Sequence, residues 1–221
     1  IEVDAQTYEV ETATGAVVSP PSAWVMKNFE INVTGGNRVD GTPAGDIMSG
    51  TADNDYINGH GGDDTISGDS GNDALLGETG NDILNGGTGT DYLYGGVDND
   101  TLNGGADNDF LQGGTGSDIL FGGTGADTFA WAAGDIGTTL QPDLDTIKDF
   151  NLAEGDKVDA KALLDALGWN GNMVTLSNYV SVSGNSINIH DVGSAHSVTI
   201  VVENHTFSNV TDMINKTNFQ T

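Results

Sequence analysis

Cysteine is absent from the 221 residues, so neither a disulfide framework nor a thiolate metal site can stabilise this chain. Cations are scarce: six Lys plus Arg stand against 33 Asp plus Glu, a net charge of -27. That balance excludes nucleic acid and anionic membrane surfaces as partners, because both require positive charge on the protein. No apolar run approaches the ~18 residues of a spanning helix, so no transmembrane segment is expected. The motifs HExxH and GxSxG are missing, and His190, His196 and His205 lack zinc-ligand spacing. No catalytic residue is therefore assigned. The chain begins at Ile1 rather than Met, as a fragment or processed product does, and the missing leader says nothing about compartment.

What the chain does have is glycine, 33 residues of it, and acids, arranged in a repeat. Cut every nine residues from Gly41, residues 41–130 read GTPAGDIMS, GTADNDYIN, GHGGDDTIS, GDSGNDALL, GETGNDILN, GGTGTDYLY, GGVDNDTLN, GGADNDFLQ, GGTGSDILF and GGTGADTFA. Position one is always Gly, position six always Asp, and position eight always a large apolar residue. Positions one to six are rich in Gly, Asn, Asp, Ser and Thr, which favour turns and tolerate positive φ. Positions seven to nine alternate outward, inward, outward, as a very short strand does. One turn and one three-residue strand make half of a flattened coil, so 18 residues complete a circuit and unit n stacks on unit n+2. The expected fold is mainly all-β. Two parallel sheets enclose the position-eight side chains, in a β-roll with a small mixed β/α C-terminal cap.

Such a coil is short of core. One buried side chain per nine residues works against the conformational entropy of a glycine-rich backbone, and residues 41–130 hold sixteen acids with no Lys or Arg. Without metal the segment is expected to be disordered. A hard cation removes the conflict. Stacked strands repeat every ~4.7–4.9 Å, about the span of two Ca–O bonds of ~2.3–2.6 Å, whereas the shorter bonds and strict octahedron of Mg²⁺ fit that pitch poorly. The candidate ligands form two ladders, Asp46, Asp64, Asp82, Asp100, Asp118 and Asp55, Asp73, Asp91, Asp109, Asp127. Four gaps per ladder allow up to about eight Ca²⁺ ions. Paired acids also occur in glycosidases, but in a ladder with loop carbonyls they read as cation ligands. DNDYING at 53–59 imitates the start of an EF-hand loop, yet its twelfth position is Asp64 and not Glu. An ice-binding surface would need Thr and Asn at fixed outward positions in every turn, and position three instead varies freely.

The units resemble GGxGxDxUx, the calcium-binding repeat of the RTX (repeats-in-toxin) family. The match is close over 41–130, with departures at position two (Thr42, Thr51, His60, Asp69, Glu78) and in the first unit, the weakest ligand donor. The segments DTIKDF at 145–150 and EGDKVDAKALL at 154–164 resemble the region that closes such coils in secreted proteins. This resemblance implies a right-handed calcium β-helix in which Asp145 and Asp149 complete a terminal Ca²⁺ site. It also implies export by a type I secretion apparatus reading an uncleaved C-terminal signal, for which the tail FSNVTDMINKTNFQT is the candidate. By resemblance the chain is the non-enzymatic end of a giant bacterial RTX adhesin, secreted or held at the cell surface, its other partners being upstream domains of the same polypeptide. The alternative is the C-terminal module of a secreted hydrolase, a metalloprotease or lipase, or of an alginate epimerase.

The flanks say less. Residues 1–40 carry β-prone runs such as AWVMKNFEINV, interrupted by a linker-like Ser19-Pro20-Pro21. In residues 131–221 a helix is expected near 160–167 with Asp159 as N-cap. Strands are expected in VTLSNYVSV, SINIH and SVTIVVE, followed by a last helix near 210–215. Even-numbered units point Tyr56, Leu76, Tyr92, Tyr94 and Phe110 away from the coil. That face is expected to be covered by residues 1–40 or by the cap, the other reading being a docking face for another domain or for carbohydrate.

Overall fold

The nine-residue phase becomes stacking: residues 18 apart pair side by side along the coil. The computed structural model describes residues 37–136, 143–173, 175–190, 196–217 and 219, and the backbone of four short strands before them. These are β1 (Glu2–Val3), β2 (Val10–Glu11), β3 (Val17–Val18) and β4 (Ile31–Asn32), with β1 antiparallel to β4 and β2 to β3. The Ser19-Pro20-Pro21 linker lies outside the described residues.

The coil follows as β5 (Arg38–Asp40), β6 (Ile47–Ser49), β7 (Tyr56–Asn58), β8 (Thr65–Ser70), β9 (Ala74–Thr79), β10 (Ile83–Thr88), β11 (Tyr92–Val97), β12 (Thr101–Ala106), β13 (Phe110–Thr115), β14 (Ile119–Thr124) and β15 (Thr128–Ala130). Odd strands form one parallel sheet and even strands the other. Position eight pairs with position eight, as in Leu75↔Leu93↔Leu111 and Ile66↔Leu84↔Leu102. The protein is thus a parallel β-solenoid of about five turns.

Two expectations about extent change. Strands β8 to β14 are six residues long, not three, and run on through positions one to three of the next unit. Position two there takes positive φ, as Gly87 does at 113°, and the backbone still pairs with the copy one circuit away, Gly87 with Gly105. The coil also begins before Gly41. Val39 pairs with Ile57, one circuit on, and packs against the core. Residues 37–40 therefore continue the repeat before Gly41, with Asn37 in the position-six column and Val39 in the position-eight column. Asn in place of Asp hid them from the repeat.

The position-eight column, from Ile57 to Phe129, is 0–1% exposed, and the same apolar cluster continues into Ile147 and Val158. Ridding the column of one member leaves a hole that the stacked neighbours cannot close. Leu93→Ala is expected to cost about 2–5 kcal/mol, read as a lower melting temperature in saturating calcium. At position four the chain turns through positive φ (Gly71 φ 123°, Gly80 φ 125°), which glycine adopts freely; Asp98 and Asp107 take the same conformation at 83° and 79°.

The two outer faces differ as expected. On the odd-strand sheet Ala74, Leu76 and Tyr92 are buried, and Tyr92 stacks on Phe110 at 5.2 Å. One end of this face meets the turn after β15, where Gln112 Nε2 donates to Asp135 Oδ2 at 3.2 Å. The expectation that residues 1–40 provide the cover falls mainly outside the described residues. The even-strand face leaves Ile47, Ile83 and Ile119 exposed.

Beyond residue 130 the chain path changes but the sheets continue. β16 (Asp143–Ile147) pairs parallel with β14, and β17 (Lys157–Asp159) with β15. Helix α1 (Lys161–Ala166) and a 3-10 turn (Leu176–Asn178) follow, then β18 (Val180–Ser183), β19 (Ser186–His190), β20 (Ser197–Val202) and α2 (Val210–Thr217). β20 lies parallel to β16, and β18 and β19 extend the same sheet antiparallel. The N-cap of α1 is Ala160, not Asp159; Asp159 Oδ1 accepts from the Lys161 N–H at 3.1 Å, one residue inside. Leu163, Leu164, Trp169, Ile187, Ile200, Phe207 and Met213 join the coil's column in one apolar cluster, so the cap plugs the open end of the roll.

Candidate metal centre

Stacking places the position-six aspartates in two columns, buried throughout except at the half-buried Asp46. In one, the N–H of Asp46 donates to Asp64 Oδ1 at 2.7 Å, that of Asp64 to Asp82 at 2.7 Å, of Asp82 to Asp100 at 2.8 Å and of Asp100 to Asp118 at 2.8 Å. In the other, Asp55 donates to Asp73, Asp73 to Asp91, Asp91 to Asp109 and Asp109 to Asp127, at 2.7–2.9 Å. Each carboxylate thus uses Oδ1 to tie its turn to the one before it.

The other oxygen is the informative one. Oδ2 of Asp64, Asp73, Asp82, Asp91, Asp100, Asp109, Asp118 and Asp127 is buried and accepts no hydrogen bond. An unpaired buried carboxylate oxygen is costly, and here it recurs in register. Burial first, then the neighbouring acids, pushes these groups up: Asp73 and Asp91 to about 7, Asp100 and Asp109 to about 8, Asp82 and Asp127 to about 6. Asp118 is raised by burial and by Asp135 and Asp143. Folding without a counter-charge therefore opposes ionisation at neutral pH.

Position-one glycine leaves a gap beside each such oxygen. A Cβ on Gly86 would collide with Oδ2 of Asp91 and lie 2.6 Å from the carbonyl oxygen of Gly104, one circuit on; Gly68, Gly77, Gly95 and Gly104 repeat the arrangement. A buried anionic oxygen and a carbonyl oxygen facing a space that any side chain would fill make an oxygen-lined cradle suited to a hard cation. Among the described residues no three His, Asp or Glu side chains converge on one point, so backbone carbonyls and water must complete the coordination. Gly86→Ala is expected to block one such position and raise the calcium concentration at half-folding in a circular dichroism titration.

The remaining expected ligands meet protein donors. Asp46 Oδ2 accepts from the N–H and Oγ1 of Thr42 at 2.6 and 2.9 Å, and Asp55 Oδ2 from the N–H and Oγ1 of Thr51. Asp145 continues the first ladder: its Oδ1 accepts from the Asp118 N–H at 3.0 Å and its Oδ2 from Trp131 Nε1 at 2.7 Å. Asp149 stands outside both ladders and binds the N–H groups of Gly122 and Gly123, each at 2.9 Å. The second ladder ends on Asp156, which sequence reasoning passed over; it accepts from the Asp127 N–H at 3.0 Å and the Asn151 N–H at 2.7 Å. The interval from Asp127 breaks the nine-residue phase. The local spelling, Asp156-Lys157-Val158, still keeps Asp two residues before an inward apolar side chain, as Asp145-Thr146-Ile147 does.

A parallel solenoid with stacked carboxylates at a fixed repeat position defines a cation-binding repeat module. Residues 40–75, 68–102, 76–111 and 94–129 match the family described as "RTX calcium-binding nonapeptide repeat (4 copies)", so this segment carries RTX-type repeats. Among solved structures, the chain is similar to the AlgE6R3 subunit from the Azotobacter vinelandii mannuronan C5-epimerase, with 27% identity over 73% of this chain and 72% of that one and a TM-score of 0.33. It is also similar to the AlgE6R2 subunit of the same enzyme, with 23% identity over 76% and 85% and a TM-score of 0.34. No curated protein matches the chain. Among the described residues no helix is long and apolar enough to cross a membrane.

Proposed function

We propose that this chain is a non-catalytic module that folds when calcium reaches it, at the end of a large secreted RTX protein of the adhesin type. What carries the reading is the row of eight buried aspartate oxygens without hydrogen-bond partners, each beside a glycine-opened cradle. Asp64, Asp73, Asp82, Asp91, Asp100, Asp109, Asp118 and Asp127 hold the ions, and bound Ca²⁺ supplies the charge neutralisation and inter-turn cross-links that the thin core lacks. Where Ca²⁺ is low, the carboxylates repel and the chain stays unfolded, a state able to thread a type I exporter. At extracellular, millimolar-scale Ca²⁺ the coil closes, and folding outside opposes back-sliding. The plugged C-terminal end gives the first turn a surface to stack on. The resemblance of 145–164 and of the tail to secreted RTX proteins supports export and the adhesin setting.

The test is a calcium titration followed by circular dichroism, comparing the unchanged chain with Asp82→Asn/Asp100→Asn. The double variant is expected to need several-fold more Ca²⁺ for half-folding. An unchanged midpoint would remove these two carboxylates from the site.

A further inference from the structure

The eight interior carboxylates and the four at the ladder ends are treated differently by the fold. At the N-terminal end, Asp46 Oδ2 receives two donors from Thr42 and Asp55 Oδ2 two from Thr51. An sp² oxygen has two lone pairs, so both are filled. Threonine at position two occurs only in these two units; every later unit has His, Asp, Glu or Gly there. Before them, position six is Asn37, whose N–H donates to Asp55 Oδ1 at 2.5 Å and whose side chain carries no charge. At the C-terminal end, Trp131 follows the tenth unit directly and so occupies the place of a position-one glycine. It is 3% exposed, and its indole N–H, which can only donate, holds Asp145 Oδ2. Asp156 Oδ2 is held by the Asn151 N–H.

We propose that each ladder is closed at both ends by protein donors standing in for a cation. Calcium then occupies only the eight interior positions, and Asp46, Asp55, Asp145 and Asp156 take none. The physical reason is competition for the same lone pairs: an N–H or O–H aimed at an oxygen presents positive charge where the ion would sit. At Asp145 a buried tryptophan also stands where the preceding units have glycine. Beyond the ladder ends no further aspartate follows, Asn37 preceding Asp55 and Ile200 lying beside Asp145, so an ion there would find a carboxylate on one side only; a covalently attached donor avoids that deficiency. Thr42, Thr51, Trp131 and Asn151 thus set where the ion column starts and stops. This inference rests on the calcium reading of the interior ladder.

Equilibrium dialysis of the full chain against saturating radiolabelled calcium decides it. Eight tightly bound ions are expected, and any other non-zero count overturns the proposal. Binding of no ion at all would instead overturn the calcium reading on which it rests. The substitution Asp46→Asn/Asp55→Asn is expected to leave the count at eight, whereas Asp82→Asn/Asp91→Asn is expected to lower it by two. A loss of ions from the end variant overturns the proposal even if the unchanged chain binds eight. The count on the unchanged chain needs no substitution, so a variant that fails to fold does not block the decision.

Discussion

In chelator at neutral pH, the coil from residue 37 to residue 130 is expected to lose its strand signal in circular dichroism, and Ca²⁺ at about 0.1–1 mM to restore it. Three observations make this effect large. The position-eight column is fully buried but narrow, one residue per nine. The sheets that enclose it are short-stranded and rich in glycine, whose backbone loses the most entropy on ordering. Eight buried carboxylate oxygens lack any hydrogen-bond partner, and residues 41–130 hold no Lys or Arg to supply one. Mg²⁺ is expected to restore little, because its ~2.0–2.1 Å bonds and strict octahedron suit neither the ~4.7–4.9 Å turn spacing nor a cradle built from scattered carbonyls. A chelated sample that keeps its cooperative melt at an unchanged temperature would refute the ion-dependent fold.

Acid is expected to do part of calcium's work. In the folded coil, burial and neighbouring acids raise Asp73 and Asp91 to about 7, and Asp100 and Asp109 to about 8, against an ordinary value of 3.8. Between roughly pH 4 and pH 8 the folded state then binds more protons than the unfolded one. Stability of the metal-free coil therefore falls as pH rises through this window and grows as pH is lowered. In chelator, the strand signal at pH 5 is expected to exceed that at pH 8, with the change centred between about 6 and 8. Equal signals at the two pH values would mean that the carboxylates do not decide folding. Protonation removes charge without cross-linking turns, so the acid form is expected to melt below the calcium form.

Much of the coil is legible in the sequence because its periodicity is a direct image of its geometry. Gly, Asp and an apolar residue recur every nine positions because the fold puts a cradle, a carboxylate oxygen and a core side chain at those places in every half-turn. Where the phase broke, sequence reading lost the thread. Asn37 belongs to the second column but is spelled differently, and Asp156 reaches the same column after an interval of 29 residues rather than 18. Asp145 and Asp149 illustrate a separate limit. They are four residues apart in one short motif, yet the carboxylate of the first enters a ladder and that of the second caps two strand-edge N–H groups. The pairing of β16 with β14 decides which does which.

By itself, the sequence determined the repeat length, the inward column and the two rows of acids, since each is set by local turn and strand preferences repeated without insertion. The tertiary structure decided which oxygen of each carboxylate is left without a donor, because that depends on the turn 18 residues away. It also decided where the rows end, because Thr42, Thr51, Trp131 and Asn151 act on carboxylates through contacts that no periodicity encodes.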